Sequence, residues 1–268
     1  MSKRAWVLAV FFWCTSCRSP ADQAAPEPVR VAAAADLAFA FEALGKAFEQ
    51  RTGQAVVFSF GSTGLLALQL KEGAPFDVFA AANVAYVDGV VAAGVCDGTT
   101  KAPYARGRIA LWTRHDGPLP PRTLADLADP RFKKIAIANP DHAPYGQAAR
   151  DALKSAGLWE RVQPRLVLGE NVRQTFQFAE TGNAETAIVA LALVVGDLKN
   201  PWTLVDDTLH PPIDQALAVC LGGKNREGGR AFARFINSDE GRAVMRQYGF
   251  LLPGETLAAP ASVPGSAP

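Results

Sequence analysis

From Val29 onward the spacing of the hydrophobic positions changes repeatedly, and each change marks an element. Val29 to Ala34 is a short apolar run, as a strand buried on both faces requires. Leu37, Phe41, Leu44 and Phe48 then recur at helical spacing as far as Gly53, a residue suited to the left-handed turn that stops a helix. The alternation continues: a strand over Gln54 to Phe60, a helix over Leu65 to Lys71 closed by Gly73, a strand over Asp77 to Ala81, and a helix over Val84 to Ala93 closed by Gly94. Strand and helix in strict alternation predict a mostly parallel sheet with helices on both faces.

A second set of the same kind begins at Arg108. Strands are predicted over Ile109 to Thr113, Lys134 to Ala138, Arg165 to Leu168 and Thr186 to Leu191, with helices near Gly146 to Ala156 and Val172 to Thr181. Ala216 to Leu221 reads as one more strand, and Gly228 to Ile236 and Asp239 to Tyr248 as closing helices. The chain is therefore read as two α/β units, without an internal repeat.

The N-terminal residues follow a different pattern. Lys3 and Arg4 precede an apolar run from Ala5 to Trp13, and Thr15, Ser16 and Cys17 follow it, the order of a secretory leader. The run is too short to span a bilayer. Residues 1–17 are read as an export signal, 18–28 as a linker without a periodic face, and the Ala, Pro and Ser-rich residues 256–268 as a disordered tail. Ser16-Cys17 resembles the end of a bacterial lipobox, although Cys14 stands where Leu is usual, so Cys17 is a candidate for lipid attachment. The expected location is the periplasm, in a soluble or a lipid-anchored form.

Composition narrows the function. Hydrophobic residues are 49% of the chain and charged ones 20%, which suits a packed globular protein. Cleavage before Cys17 removes two of the 27 basic residues and none of the 26 acidic ones, leaving a net charge of about −1. A near-neutral chain with no basic block lacks the footprint that nucleic-acid binding needs. Beyond the leader only Cys96 and Cys220 remain, and they can be one disulfide or two buried thiols. His115, His142 and His210 each sit beside Pro or Asp in expected loops, without metal-ligand spacing, and are read as solvated. The usual hydrolase, nucleotide and dinucleotide signatures are absent.

What recurs is a small or polar residue at a strand's end followed at once by a helix. Ala35-Asp36 opens one helix, Gly61-Ser62-Thr63-Gly64 a second, Ala143-Pro144-Tyr145-Gly146 a third, and Asn171 a fourth, with Gln174 placed for a capping-box-like pair. Helix starts carry unpaired N–H groups and the positive end of a dipole, and in open α/β sheets they gather at the edge where ligands bind. Any one of them alone is routine capping; four together suggest an anion site.

These residues also carry a family resemblance. The segments Ala32-Ala33-Ala34-Ala35-Asp36-Leu37, Phe58-Ser59-Phe60-Gly61-Ser62-Thr63-Gly64 and Gly73-Ala74-Pro75-Phe76-Asp77-Val78-Phe79 resemble, in order and spacing, the periplasmic molybdate-binding proteins of bacterial molybdate ABC importers. So do Asn139 to Gly146, Glu170-Asn171-Val172 and Arg246-Gln247-Tyr248-Gly249-Phe250. The resemblance runs from about Val29 to Pro253. It implies a two-lobed periplasmic-binding-protein fold with the ligand cleft between lobes. Lobe 1 is expected over residues 29–105 plus 211–255 and lobe 2 over 106–210, joined by two crossings. It implies a binding protein, not an enzyme, that has no cofactor and acts as a monomer. It would capture molybdate, and tungstate with it, as an oxyanion and without direct metal ligation, and deliver it to an inner-membrane permease. Carried over residue by residue, the ligand rests against Asp36 (N–H), Thr63 (hydroxyl and N–H), Tyr145 (N–H) and Val172 (N–H), with Ala35, Ser62 and Ala190 as additional positions. A site made only of donors suits a fully ionised oxyanion.

Two positions depart from the family pattern. Asp36 stands where many members carry Ser, and Ala190 where some carry a ligand-contacting Tyr. A carboxylate aimed at a dianion would repel it, so the expectation is that Asp36 folds back as the cap of the helix at Leu37. The alternatives are the same fold with phosphate, sulfate or a small carboxylate as ligand, and more remotely a secreted enzyme using Asp36 and His142 as acid and base in the cleft.

Overall fold

The computed structural model describes residues 27–255; the expectations for the leader, for Cys17, for most of the linker and for the tail lie outside them. Ten strands form two five-stranded sheets. In chain order the first lobe starts with β1 (Val29–Ala34), α1 (Ala38–Thr52), β2 (Val56–Gly61), α2 (Thr63–Lys71), β3 (Val78–Ala81), α3 (Val84–Ala92) and β4 (Cys96–Gly107). The second holds β5 (Ile109–Trp112), β6 (Ile135–Ala138), α4 (Pro144–Ser155), α5 (Trp159–Val162), β7 (Leu166–Gly169), α6 (Val172–Glu180), β8 (Thr186–Ala190) and β9 (Trp202–Leu204). The chain then returns through β10 (Ile213–Cys220), α7 (Arg226–Ile236) and α8 (Asp239–Gln247). Sheet order is β2-β1-β3-β10-β4 in one lobe and β7-β6-β8-β5-β9 in the other.

The apolar runs become the central strands. β1, β3, β6 and β8 are buried almost throughout. Gly53, Gly73 and Gly94 follow α1, α2 and α3 with positive φ, the left-handed conformation that admits glycine most readily. Around the first sheet, Phe41 and Phe48 of α1 meet Phe232 of α7 edge-on, and Phe58 of β2 lies against Phe41 and Phe232, closing one face. Trp112 and Phe176 make the equivalent edge contact in the second lobe.

The sheets are mixed where mostly parallel ones were expected. β1 pairs with β2 and β3 in parallel, and β6 with β7 and β8; β10 is antiparallel to β3 and β4, and β5 to β8 and β9. The antiparallel strands are those next to the two crossings between lobes, β4 into β5 and β9 into β10, where no helix turns the chain around.

β4 was not legible as a strand. Its twelve residues include Gly98, Pro103 and Gly107 and several polar positions. It lies at the sheet edge, where a missing N–H is tolerated, and its pairing with β10 shifts register between Gln215 and Ala216 and again between Leu217 and Val219. Pro103 sits beside the first shift.

Cys96 and Cys220, open in the sequence, face each other on β4 and β10 and are joined as a disulfide across 124 residues of chain. A bridge closing so long a loop restricts the unfolded chain strongly. Replacing both cysteines with serine is expected to lower unfolding free energy by about 2–4 kcal/mol, measurable by urea denaturation, with the folded form still binding ligand. No helix among the described residues is long and apolar enough to cross a membrane.

Candidate functional site

Four segments converge between the lobes on one small cavity of about 10 Å³, far below the roughly 300–1,000 Å³ of sites for drug-sized molecules. Residues 34–36 and 61–63 line it from the first lobe, together with Ala82, and residues 143–145, Asn171 and Val172 from the second. The parallel strands β1, β2, β6 and β7 all end here, so the turns that leave them start helices pointing at the same space.

The way those helices are capped leaves particular amides free of side chains. α7 and α8 begin away from the cavity, and the side chains of Asn225 and Ser238 take early amides of each; Asn83 caps α3 just after the lining residue Ala82, and α5, away from the cavity, has no side-chain cap. The turn at residues 35–37, α2 and α4 have no side-chain cap. Pro144 occupies the first position of α4, so the first N–H the helix offers is that of Tyr145. α6 is capped selectively: Asn171 Oδ1 accepts from the amides of Arg173 and Gln174, and the Gln174 side chain accepts from Glu170 N–H. The cap leaves out Val172 N–H. Thr63 Oγ accepts from Ala82 N–H at 3.2 Å, and its own hydrogen stays free to donate.

The lobes are closed on each other by direct hydrogen bonds. Gly64 N–H donates to His142 O at 3.0 Å. Ser62 Oγ donates to the same carbonyl at 2.7 Å and lies 2.8 Å from His142 Nδ1. Ser62 therefore lines the cavity but spends its hydroxyl on lobe contact. A Cβ on Gly64 would come within 2.7 Å of His142 O, so the bare backbone of the Gly61–Gly64 turn is what permits this approach.

Asp36 is fully buried, and its carboxylate caps no helix, contrary to expectation. It reaches across the interface instead: Oδ2 accepts from Tyr145 Oη at 2.9 Å and from Gln215 Nε2 at 2.7 Å. Gln215 Nε2 also lies 3.2 Å from Tyr145 Oη, which closes a triangle spanning both lobes. Gly107, the last residue before the first crossing, makes room for it, since a Cβ there would stand 2.0 Å from the tyrosine oxygen. Burial pushes the Asp36 carboxyl up to about 6, against the pull of hydrogen bonds from Gln215 and Tyr145. Burial likewise holds the phenols of Tyr145 and Tyr104 well above their usual range.

The structure thus brings Ala35, Asp36, Ser62, Thr63, Tyr145 and Val172 together at the cavity. Ala190 is not there. It lies at the end of β8, paired with Ile109 of β5 and fully buried, and is not part of the cavity lining. Gln215 was missed, because a polar residue inside an apolar strand carries no local signal of its partner. Of the histidines read as solvated, only His115 is exposed. His142 is half-buried against Ser62, and His210 is buried beside Pro211 at the second crossing. Among the described residues, no three His, Cys, Asp or Glu side chains gather as a metal site.

Known proteins share this fold. Residues 29–251 match the model of the bacterial extracellular solute-binding proteins. A molybdate-binding protein ModA of Azotobacter vinelandii is 35% identical over 226 residues, covering 83% of this chain and 89% of that one. The ModA of Rhodobacter capsulatus is 30% identical over 228 residues, covering 85% and 90%. Among solved structures, a periplasmic molybdate-binding protein of A. vinelandii superposes with a TM-score of 0.79 at 27% identity, covering 84% of this chain and 99% of that one. The sulfate-binding protein SubI of Mycobacterium tuberculosis shares the fold at a TM-score of 0.70 and 17% identity, covering 85% and 87%. With two lobes, two crossings and a cavity where helix starts meet, the chain belongs to the bacterial extracellular solute-binding proteins.

Proposed function

We propose that the protein captures molybdate, and tungstate with it, in the periplasm and hands it to the permease of an ABC importer, acting as a monomeric binding protein rather than an enzyme. Either a soluble form or one tethered through Cys17 fits that task. One observation carries the reading: the helix starts lining the cavity leave the amides of Thr63, Tyr145 and Val172 outside every side-chain cap. Such a cavity offers donors to an acceptor-only ion.

In this reading the oxyanion takes hydrogen bonds from the amides of Asp36, Thr63, Tyr145 and Val172 and from the Thr63 hydroxyl, with Ala35 and Ser62 beside it. Donors come from both lobes, so binding and closure are one event. The ModA relatives named above support molybdate as the cargo. Sulfate offers the same charge and acceptors, so discrimination rests on cavity size.

Calorimetric titration of the mature protein with molybdate, tungstate, sulfate and phosphate tests this. Molybdate and tungstate are expected to bind much more tightly than the other two. Sulfate competing at equal concentration would overturn the assignment.

A further inference from the structure

We propose that Asp36 makes anion capture proton-coupled: the carboxyl takes up a proton on Oδ1 as the lobes close over a dianion, so that about one proton enters with each anion. This rests on the anion-binding reading above. The geometry has three parts. Asp36 belongs to a segment that lines the cavity, and its side chain is fully buried. Its Oδ2 already accepts two hydrogen bonds, while Oδ1 has no partner in the protein, which makes Oδ1 the vacant site for a proton. One of the two donors, Tyr145, comes from the opposite lobe, so the carboxylate is sealed from water only when the lobes meet.

Among the described residues no cation compensates the charge. α4 presents Tyr145, β4 presents Tyr104 and β10 presents Gln215, all neutral at physiological pH. The turn at residues 191–193 packs on the same segment with only Leu and Ala, β2 brings no charged residue, and the charges of α1 begin at the exposed Glu42. α6 packs there too, but the guanidinium of Arg173 lies over the Phe39 ring. His142 is held by Ser62, and Arg106 and Asp214 pair with each other at the surface. Among the described residues, no Lys or Arg contacts the Asp36 carboxylate.

A carboxyl whose affinity for protons is raised by closure favours the closed arrangement at acid pH and withdraws that support as pH climbs through the raised value. Burial alone brings Asp36 to about 6. A doubly charged neighbour raises it further, because like charges penalise the ionised form. In the open form the carboxyl meets water and returns toward its ordinary value. Between those limits closure consumes a proton.

Molybdate titrated into the mature protein at about pH 5.5, between the ordinary and the raised carboxyl values, in buffers of different ionisation enthalpy, counts the protons directly. Wild type is expected to take up most of one proton per anion, with affinity falling by up to about tenfold per pH unit from the ordinary carboxyl range toward the raised value and levelling off above it. Asp36→Asn is expected to take up none and to show a flat profile, because molybdate itself stays a dianion over that range. A purely structural role for Asp36 would move neither the proton count nor the slope. Zero uptake by wild type, or the same slope in Asp36→Asn, overturns the proposal. An infrared difference spectrum of wild type on molybdate addition gives an answer independent of the variant: a new protonated-carboxyl band supports the proposal, and its absence overturns it. Should sulfate bind in place of molybdate, the ligand assignment falls and the same proton count on sulfate decides this proposal; if neither binds, both fall.

Discussion

Gly64→Ala is expected to weaken anion binding about 10- to 100-fold while leaving the stability of the unliganded protein unchanged or slightly higher. The two effects have separate causes. The added Cβ would meet His142 O at 2.7 Å, His142 Cβ at 3.0 Å and His142 Cα at 3.2 Å, all of them on the opposite lobe. It also presses on the carbonyl that accepts from Gly64 N–H and from Ser62 Oγ. Overpacking of this kind costs about 1–3 kcal/mol, and each 1.4 kcal/mol is a factor of about ten in Kd. The lobes can avoid the cost by staying apart, so it falls on closure and hence on affinity. Within its own lobe the substitution replaces a helical glycine, which restricts the unfolded chain and stabilises by about 0.4–1 kcal/mol. Gly146→Ala is the contrast. Its Cβ would stand 2.1 Å from Ala138 O, within one lobe, so stability and affinity should fall together. Titration beside thermal unfolding separates the cases; a Gly64→Ala protein with unchanged affinity would show that the Gly64–His142 contact does not govern closure.

How far the sequence reveals this molecule depends on how local each signal is. The apolar run of β1 and the helical spacing of α1 were readable because burial on a sheet or against a helix imposes its period on neighbouring residues. The four cavity helix starts were readable for the same reason, since a strand's end and a helix's beginning lie within a few residues. β4 was invisible because an edge strand with register shifts tolerates Gly, Pro and polar residues. The placement of Asp36 was misread because its partners are 109 and 179 residues away. Locally an acidic residue before a helix looks like a cap, and only the closing of two lobes puts Tyr145 and Gln215 within reach. Ala190 was carried over from a resemblance at a strand position, and it is not part of the cavity lining.

Asp77 shows that a conspicuous motif can serve the fold rather than the ligand, and it sets the largest stability effect expected here. It follows Gly73-Ala74-Pro75-Phe76 in one of the segments that carry the family resemblance, yet it precedes β3, while the cavity residue Ala82 follows that strand. Its side chain is fully buried, and each oxygen has one backbone partner: Oδ2 accepts from Arg30 N–H at 2.8 Å and Oδ1 from Asn225 N–H at 2.7 Å. One carboxylate thus ties β1 to β3 and fixes the entry to α7, whose Gly229 backs onto it closely. Asp77→Ala strands two amides at once, and at about 1–3 kcal/mol each, more when the acceptor is charged, the loss should be about 3–5 kcal/mol. Asp77→Asn keeps one acceptor and should lose roughly half as much. The cavity is untouched, so protein that still folds should bind molybdate with wild-type affinity. Ligand at about 100 times Kd adds about 2.7 kcal/mol to the native state, so molybdate should restore much of the lost thermal midpoint in Asp77→Ala, and an equal concentration of sulfate should restore little. Weakened binding in the folded variant would show instead that the strain reaches the cavity along β3 through Ala82.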